Sequence, residues 1–131
     1  MSEKLPLEFG LDTFGDMTVD ENGQKQSAAQ AIRNLVEQAV LADQLGLNHF
    51  NVGEHHRDDY AVSAPDTVLA GIATVTKQIK LGTGVTNPIT RDVAVTATAL
   101  ATLQIESNGR AVCGIGRGDS SAAHIGKKQA T

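Results

Sequence analysis

The sequence predicts an α/β fold of parallel strands, in the order β-α-β-α-β-α-β. Three observations lead there. Four short segments of alternating or apolar character occur at 7–13, 47–52, 79–85 and 110–115. Between them lie three longer segments whose apolar residues return at helical spacing. The connections from helix to strand are short, and regular alternation of this kind implies parallel strands with right-handed crossovers. Two architectures satisfy the pattern: an open doubly wound sheet, or the first half of a (β/α)8 barrel. A complete barrel takes roughly 200 residues or more; this chain has 131.

The first strand is read from Leu7-Glu8-Phe9-Gly10-Leu11-Asp12-Thr13, where apolar residues alternate with small or polar ones. Phe14 to Lys25 is polar and Gly-rich, a loop long enough to be functional rather than a mere connector. Ser27 opens the first helix, with Gln30 completing a capping box. Ile32, Leu35, Val36, Ala39 and Val40 form its apolar stripe, and Gly46 ends it. The second strand, 47–52, runs into Gly53-Glu54-His55-His56-Arg57. Ser63 and Asp66 predict a second capping box, with Pro65 tolerated in the first turn. Val68, Leu69, Ile72 and Ala73 supply that helix's buried face. Ile79, Leu81, Thr83 and Val85 alternate as a third strand, and Thr86–Thr90 turns the chain. A third helix is expected from Asp92 to Gln104, with Val93, Thr96, Ala97, Leu100 and Leu103 on one side. Ser107-Asn108-Gly109 breaks it, and Arg110–Ile115 reads as the fourth strand, with Cys113 as a small core residue. No linker, low-complexity tract or sequence repeat divides the chain, so residues 1–131 are read as one domain.

Composition narrows the function classes. With 40% hydrophobic and 20% charged residues, the chain is expected to be soluble and globular. A net charge of −4, without a basic run or an aromatic platform, argues against a nucleic-acid partner. The single cysteine excludes an internal disulfide and suits a reducing, cytoplasmic location. The N-terminus lacks the apolar core of a signal peptide, and no apolar run approaches the length of a membrane span, so no membrane partner is expected.

The chemistry concentrates in Gly53-Glu54-His55-His56-Arg57, followed by Asp58-Asp59-Tyr60. An acid, two imidazoles and a guanidinium between a strand and a helix lie where a βα unit keeps its catalytic groups. The plainer alternative is a solvated, charged connection. Glu54, His55 and Asp58 lack a further His or Cys at ligand spacing, so no metal site is expected. Gly114-Ile115-Gly116-Arg117-Gly118 is G-x-G-x-G rather than G-x-G-x-x-G, with no βα unit after it, which rules out a dinucleotide fingerprint as the primary reading. Arg117-Gly118-Asp119 spells an adhesion tripeptide by coincidence.

These residues resemble the bacterial-luciferase-like flavin-dependent oxidoreductases, a (β/α)8 family. Phe9–Asp16 resembles the first strand of the FMN-dependent members, and Ala39–Leu47 the family's first helix and turn. Gly53-Glu54-His55-His56-Arg57 is similar to its Glu-His-His loop after strand two, the most specific match. Ile79–Val85 and Ser107-Asn108-Gly109-Arg110 match strand three and the approach to strand four. Gly84–Pro88 and Gly114–Asp119 are closer to the deazaflavin (F420) branch, whereas the first 80 residues lean to FMN.

The resemblance implies the first half of a TIM barrel, and a chain that is an N-terminal fragment. It implies an oxidoreductase that binds reduced FMN and oxygenates a small-molecule substrate, with F420-dependent hydride transfer as the alternative. A non-catalytic, self-associating half-barrel is the rival from another class. Carried over residue by residue, His55 is the catalytic group beside the flavin, able to donate a hydrogen bond or exchange a proton near neutral pH; His56 is structural. Gly84 and Val85 mark where the family bends its backbone under the flavin ring, commonly through a non-prolyl cis peptide. Arg117 meets either an anionic flavin tail or the N1–C2 region, or else is solvated. Geometry adds a further expectation. A half-barrel leaves its inner face uncovered and two edges unpaired, so a homo-oligomer is expected, a dimer joined through inward-pointing residues of 79–85 and 111–115.

Overall fold

The computed structural model describes residues 4–118. Its elements run β1 (Gly10–Thr13), α1 (Ala28–Gln44), β2 (His49–Val52), α2 (Pro65–Val75), β3 (Lys80–Thr83), α3 (Val93–Glu106) and β4 (Ala111–Val112). All three pairings are parallel, and the strands lie side by side in chain order, β1-β2-β3-β4. A doubly wound sheet would reverse its strand order midway. Sequential order is that of a barrel wall.

Register decides which side chains meet the helices. Leu11, Phe50, Leu81 and Ala111 share one row, and Thr13, Val52 and Thr83 the next row on the same face. Phe50, Val52 and Leu81 are buried there with Leu35, Ala39 and Ala42 of α1, Leu69, Ile72 and Ala73 of α2, and Leu103 of α3. The opposite face carries Gly10, His49 and Lys80, then Asp12, Asn51, Gly82 and Val112. The helices thus cover one face only. The uncovered face is largely polar: His49 Nε2 and Glu8 Oε2 lie 2.5 Å apart, and Lys80 reaches Glu8 at 3.4 Å.

Ser27 caps α1 by accepting from Gln30 N at 3.2 Å, while the Gln30 amide turns to Asn34 instead of closing the box. Leu45 and Gly46 (φ 80°) end that helix. Asp92 caps α3, accepting from Val95 N at 2.9 Å. The expected cap of α2 does not form. Ala64 occupies the cap position without a side-chain bond. The Ser63 hydroxyl donates to the His55 carbonyl, and Asp66 forms a two-pronged pair with Arg91.

Other expectations change at the edges. β3 ends at Thr83, and Val85 is exposed rather than packed in the sheet. On α3, Thr96 and Leu103 are buried, while Val93 and Ala97 face outward. Cys113 is exposed rather than core, because it follows the edge strand β4 and no described helix covers that end of the sheet. Asp119 of the tripeptide, and the N-terminal Met1–Glu3, lie outside the described residues. Among the described residues, no helix is long and apolar enough to cross a membrane.

Two polar clamps hold the strands at the far end from the site. The Asp43 carboxylate accepts from the backbone N–H groups of Lys77, Gln78 and Ile79 at 2.8–2.9 Å. Partial burial pushes its pKa up, but these three donors and the nearby Arg110 outweigh that and hold it below the ordinary range. The Arg110 guanidinium donates to the carbonyls of Ala73, Thr76, Ile79 and Ser107 and to the Thr76 hydroxyl. It thereby ties the end of α2 to the start of β3.

Candidate functional site

At the C-terminal ends of the strands, the loops after β1, β2 and β3 converge. The first two zip together: Gly53 N donates to Thr13 O at 2.9 Å, Ala61 N to Gly15 O at 2.6 Å, and Met17 N to Asp59 O at 2.9 Å. This folds Phe14 over Gly53, where a Cβ would fall 2.2 Å from the Phe14 ring. Only glycine leaves that space. The His55 ring lies between two aromatic neighbours. It meets Phe14 edge-to-face, with centroids 4.5 Å apart and planes at 82°, and stacks on Tyr60 at 4.5 Å and 30°. Its backbone is held as well, with His55 N donating to Val62 O at 3.1 Å and Ser63 Oγ to His55 O at 2.9 Å.

Glu54 joins this pair of loops to the third. Its side chain is fully buried, and its carboxylate accepts from Asn87 N at 2.9 Å, Thr86 Oγ1 at 3.3 Å, the Thr90 hydroxyl, and His56 Nε2 at 2.8 Å. A buried charge demands such partners. His56 therefore turns to the acid, while His55, one residue earlier on an extended segment, turns to the aromatic rings. Arg57 pairs with Asp59 at the surface, both about half exposed.

The third loop leaves β3 through Gly84–Val85, whose peptide bond is cis. Beside it runs the segment after β4. Thr86 N donates to Gly114 O at 2.9 Å, and Gly116 N to Thr86 O at 3.1 Å. A Cβ at Gly114 would lie 2.0 Å from Thr83 O, and one at Gly116 2.6 Å from Val85 Cγ2. The alternate glycines of 114–118 are thus a packing stripe against 83–87, which is what the G-x-G-x-G spacing encodes.

A cavity of about 350 Å³ opens among these loops, lined by Phe14, Glu54, His55, Gly84, Val85, Asn87, Arg117 and Gly118. Sites for small molecules run from roughly 300 to 1,000 Å³. His55, Gly84, Val85 and Arg117, singled out in the sequence from three separate segments, all line it. Phe14, Asn87 and the tie made by Glu54 were not anticipated. The first lies in the Phe9–Asp16 match but has no polar group to single it out, and the others depend on partners more than 30 residues away. The walls combine an aromatic ring, an aliphatic side chain, a bare glycine backbone, an imidazole and a guanidinium. That set can seat a planar ring, exchange a proton with it and meet negative charge. Among the described residues, no group of three His, Cys, Asp or Glu is placed to hold a metal ion.

Comparison with known proteins agrees with the geometry. The chain is 39% identical over 90 residues to a 5,10-methylenetetrahydromethanopterin reductase of Methanolobus tindarius, covering 67% of this chain and 26% of that protein. It is 39% identical over 105 residues to an F420-dependent glucose-6-phosphate dehydrogenase of Amycolatopsis mediterranei, covering 75% and 31%. It therefore spans about a third or less of these curated relatives. Among solved structures, the oxygenating constituent of 3,6-diketocamphane monooxygenase from Pseudomonas putida is similar. This type II Baeyer–Villiger monooxygenase, in complex with FMN, matches with a TM-score of 0.78 at 28% identity, over 90% of this chain and 31% of that one. The sequence profile of the luciferase-like monooxygenases matches residues 13–128. With strand order, site and profile in agreement, the chain belongs to the luciferase-like monooxygenase family.

Proposed function

We propose that this chain forms the N-terminal wall of a flavin-dependent oxidoreductase site that binds reduced FMN and a small-molecule substrate. The observation that carries the reading is the convergence of His55, Gly84, Val85 and Arg117 on one cavity. The residues fit such a group: Gly84 leaves the wall bare of a side chain, and Phe14 and Val85 offer apolar contact to a planar ring. Reduced FMN, when bound, supplies the electrons for oxygen activation.

The chain's own residues have narrower tasks. His55, fixed by Phe14, Tyr60 and the Ser63 bond to its carbonyl, donates a hydrogen bond or moves a proton at the ring edge. Phe14 and Val85 exclude water from the ring face. Arg117 meets the negative charge of the flavin tail or of the N1–C2 region. Glu54 holds the loops in place and, with its oxygens occupied, leaves proton transfer to His55.

A second reading, hydride transfer with F420, is favoured by the F420-dependent relative at 39% identity and by the Gly84–Asn87 stretch. The two are separated by titrating the protein with FMN and F420 in parallel and following fluorescence quenching. Saturable binding of FMN, tighter than that of F420, is the expected result. The reverse order establishes the second reading, and no binding of either at millimolar concentration overturns both.

A further inference from the structure

Directly beside the Gly84 wall, on the uncovered face of the sheet, two polar side chains form a preassembled edge. Asp12 of β1 and Asn51 of β2 are register partners, and Asn51 Nδ2 donates to Asp12 Oδ1 at 2.6 Å. Asn51 leans across β3 at its register partner Gly82, which has no side chain to stop it. A Cβ at Gly82 would fall 2.1 Å from Asn51 Oδ1, and one at Gly84 3.1 Å from Asn51 Cβ and 3.8 Å from Asp12 Oδ1. Gly84 lines the cavity, as does Phe14, two residues beyond Asp12. The pair therefore sits against the peptide that forms the cavity wall.

Its free valences have a definite polarity. A carboxylate offers about four acceptor positions, and a carboxamide two N–H donors. Among the described residues, Asn51 is the hydrogen-bond partner of the Asp12 side chain, and Asp12 is exposed. Acceptor capacity on Asp12 and one N–H on Asn51 remain side by side. The ligand group complementary to such an edge is a ring N–H flanked by a carbonyl: the N–H donates to the carboxylate, and the carbonyl accepts from the amide. The pyrimidine rings of FMN and of F420 both carry that group. Neither Gly82 nor Gly84 raises a side chain between the pair and the cavity wall.

We infer that Asp12 and Asn51 recognise the N3–H and adjacent carbonyl edge of the bound flavin, a binding role beyond those of His55, Gly84, Val85 and Arg117. The inference rests on the flavin reading above. The edge recognised is common to FMN and F420, so the inference holds under either cofactor reading.

Fluorescence titration of the protein with FMN and with N3-methyl-FMN tests it without turnover. The wild type is expected to bind FMN about tenfold or more tightly than the N3-methyl analogue, the fold-change of a lost hydrogen bond to a charged acceptor. Asp12→Ala is expected to bring the two affinities within about twofold by weakening FMN, and Asp12→Asn, which can turn its amide oxygen to the ring N–H, to fall between. Thermal melting checks that the variants fold, which the exposure of Asp12 favours. Wild type that binds both flavins equally, or an Asp12→Ala variant that keeps the full preference, overturns the inference and leaves the flavin reading intact. Wild type that binds neither overturns the flavin reading and this inference with it.

Discussion

Removing the Glu54 carboxylate is the perturbation whose cost follows most directly from the structure. Four donors point at a fully buried side chain: Asn87 N, the hydroxyls of Thr86 and Thr90, and His56 Nε2. In Glu54→Ala all four lose their acceptor. The hydroxyls can rotate to other partners, but the Asn87 N–H is fixed by the backbone, and His56 loses its buried counterpart. Breaking a buried pair in this way costs about 3–5 kcal/mol. Glu54→Gln keeps the volume and one acceptor oxygen, so only the charge and one or two bonds are lost, about 1–3 kcal/mol. A domain with roughly 5–15 kcal/mol of total stability would feel the first as near-unfolding and the second as a clear loss. The assay is urea denaturation of wild type, Glu54→Gln and Glu54→Ala, with Arg57→Ala as a surface control expected to stay within about 0.5 kcal/mol. A loss below about 1 kcal/mol for Glu54→Ala, or equal losses for Glu54→Ala and Arg57→Ala, would refute the claim that this acid ties the loops together.

Four further outcomes are expected. In a complete enzyme built on this chain, and on the proposed flavin reading, His55→Ala lowers flavin-dependent kcat by about 10²–10⁴-fold while leaving flavin Kd within about threefold, whereas His56→Ala acts on stability; steady-state kinetics beside flavin titration separates the two. Arg110→Lys loses about 2–3 kcal/mol by denaturant unfolding, because a three-donor ammonium cannot span the acceptors at Ala73, Thr76, Ile79 and Ser107. Asp43, whose folded pKa is lowered, contributes stability that is complete above its unfolded pKa of about 4 and is lost as pH falls through the folded value. The stability gap between wild type and Asp43→Asn should therefore narrow below about pH 4, and a gap constant with pH would contradict the assignment. Sedimentation across a dilution series is expected to show a dimer, since β1 and β4 each have one edge without a strand partner among the described residues; a compact monomer at every concentration would rule it out.

The regular elements were legible because their signals are local. The stripe of α1 and its cap at Ser27 lie within a few residues of what they specify, and parallel order followed from the alternation of strand and helix. Open sheet and half-barrel could not be separated that way, since both read β-α-β-α. The choice needed strand order and the single helix-covered face. Ser63 misled for a physical reason: its spacing to Asp66 is that of a capping box, but the His55 carbonyl and Arg91 offered both side chains other partners. The uncovered face, expected to be covered by a second copy, carries Glu8, Asp12, His49, Asn51 and Lys80, polar groups that water can satisfy. The dimer expected above would therefore draw on unpaired edges more than on apolar burial there. The site residues were found through their resemblance to a family loop. His55 is held partly by near neighbours, Tyr60, Val62 and Ser63. The ring of Phe14 and the ties from Glu54 to Thr86, Asn87 and Thr90, however, span more than 30 residues and leave no trace in spacing.

Five adjacent residues at the end of β2 divide the labour of the site. On an extended segment successive side chains point to opposite sides, so a run of like chemistry cannot act as one cluster. Gly53 gives up its side chain so that Phe14 can fold over it. Glu54 and His56 point inward together: His56 pairs with the Glu54 carboxylate, which also accepts from the loop after β3. His55, between them, faces the rings of Phe14 and Tyr60 and the cavity. Arg57 turns to the surface and Asp59. The arrangement places an imidazole at the cavity while the neighbouring acid is occupied by His56 and by donors from the loop after β3. On the proposed flavin reading, a carboxylate left free in Glu54's place would repel an electron-rich reduced ring. Four donors to its oxygens disperse that charge, and they also fix the Gly84–Asn87 loop to the strand that carries His55. One set of bonds thus sets the electrostatics of the cavity and its shape together.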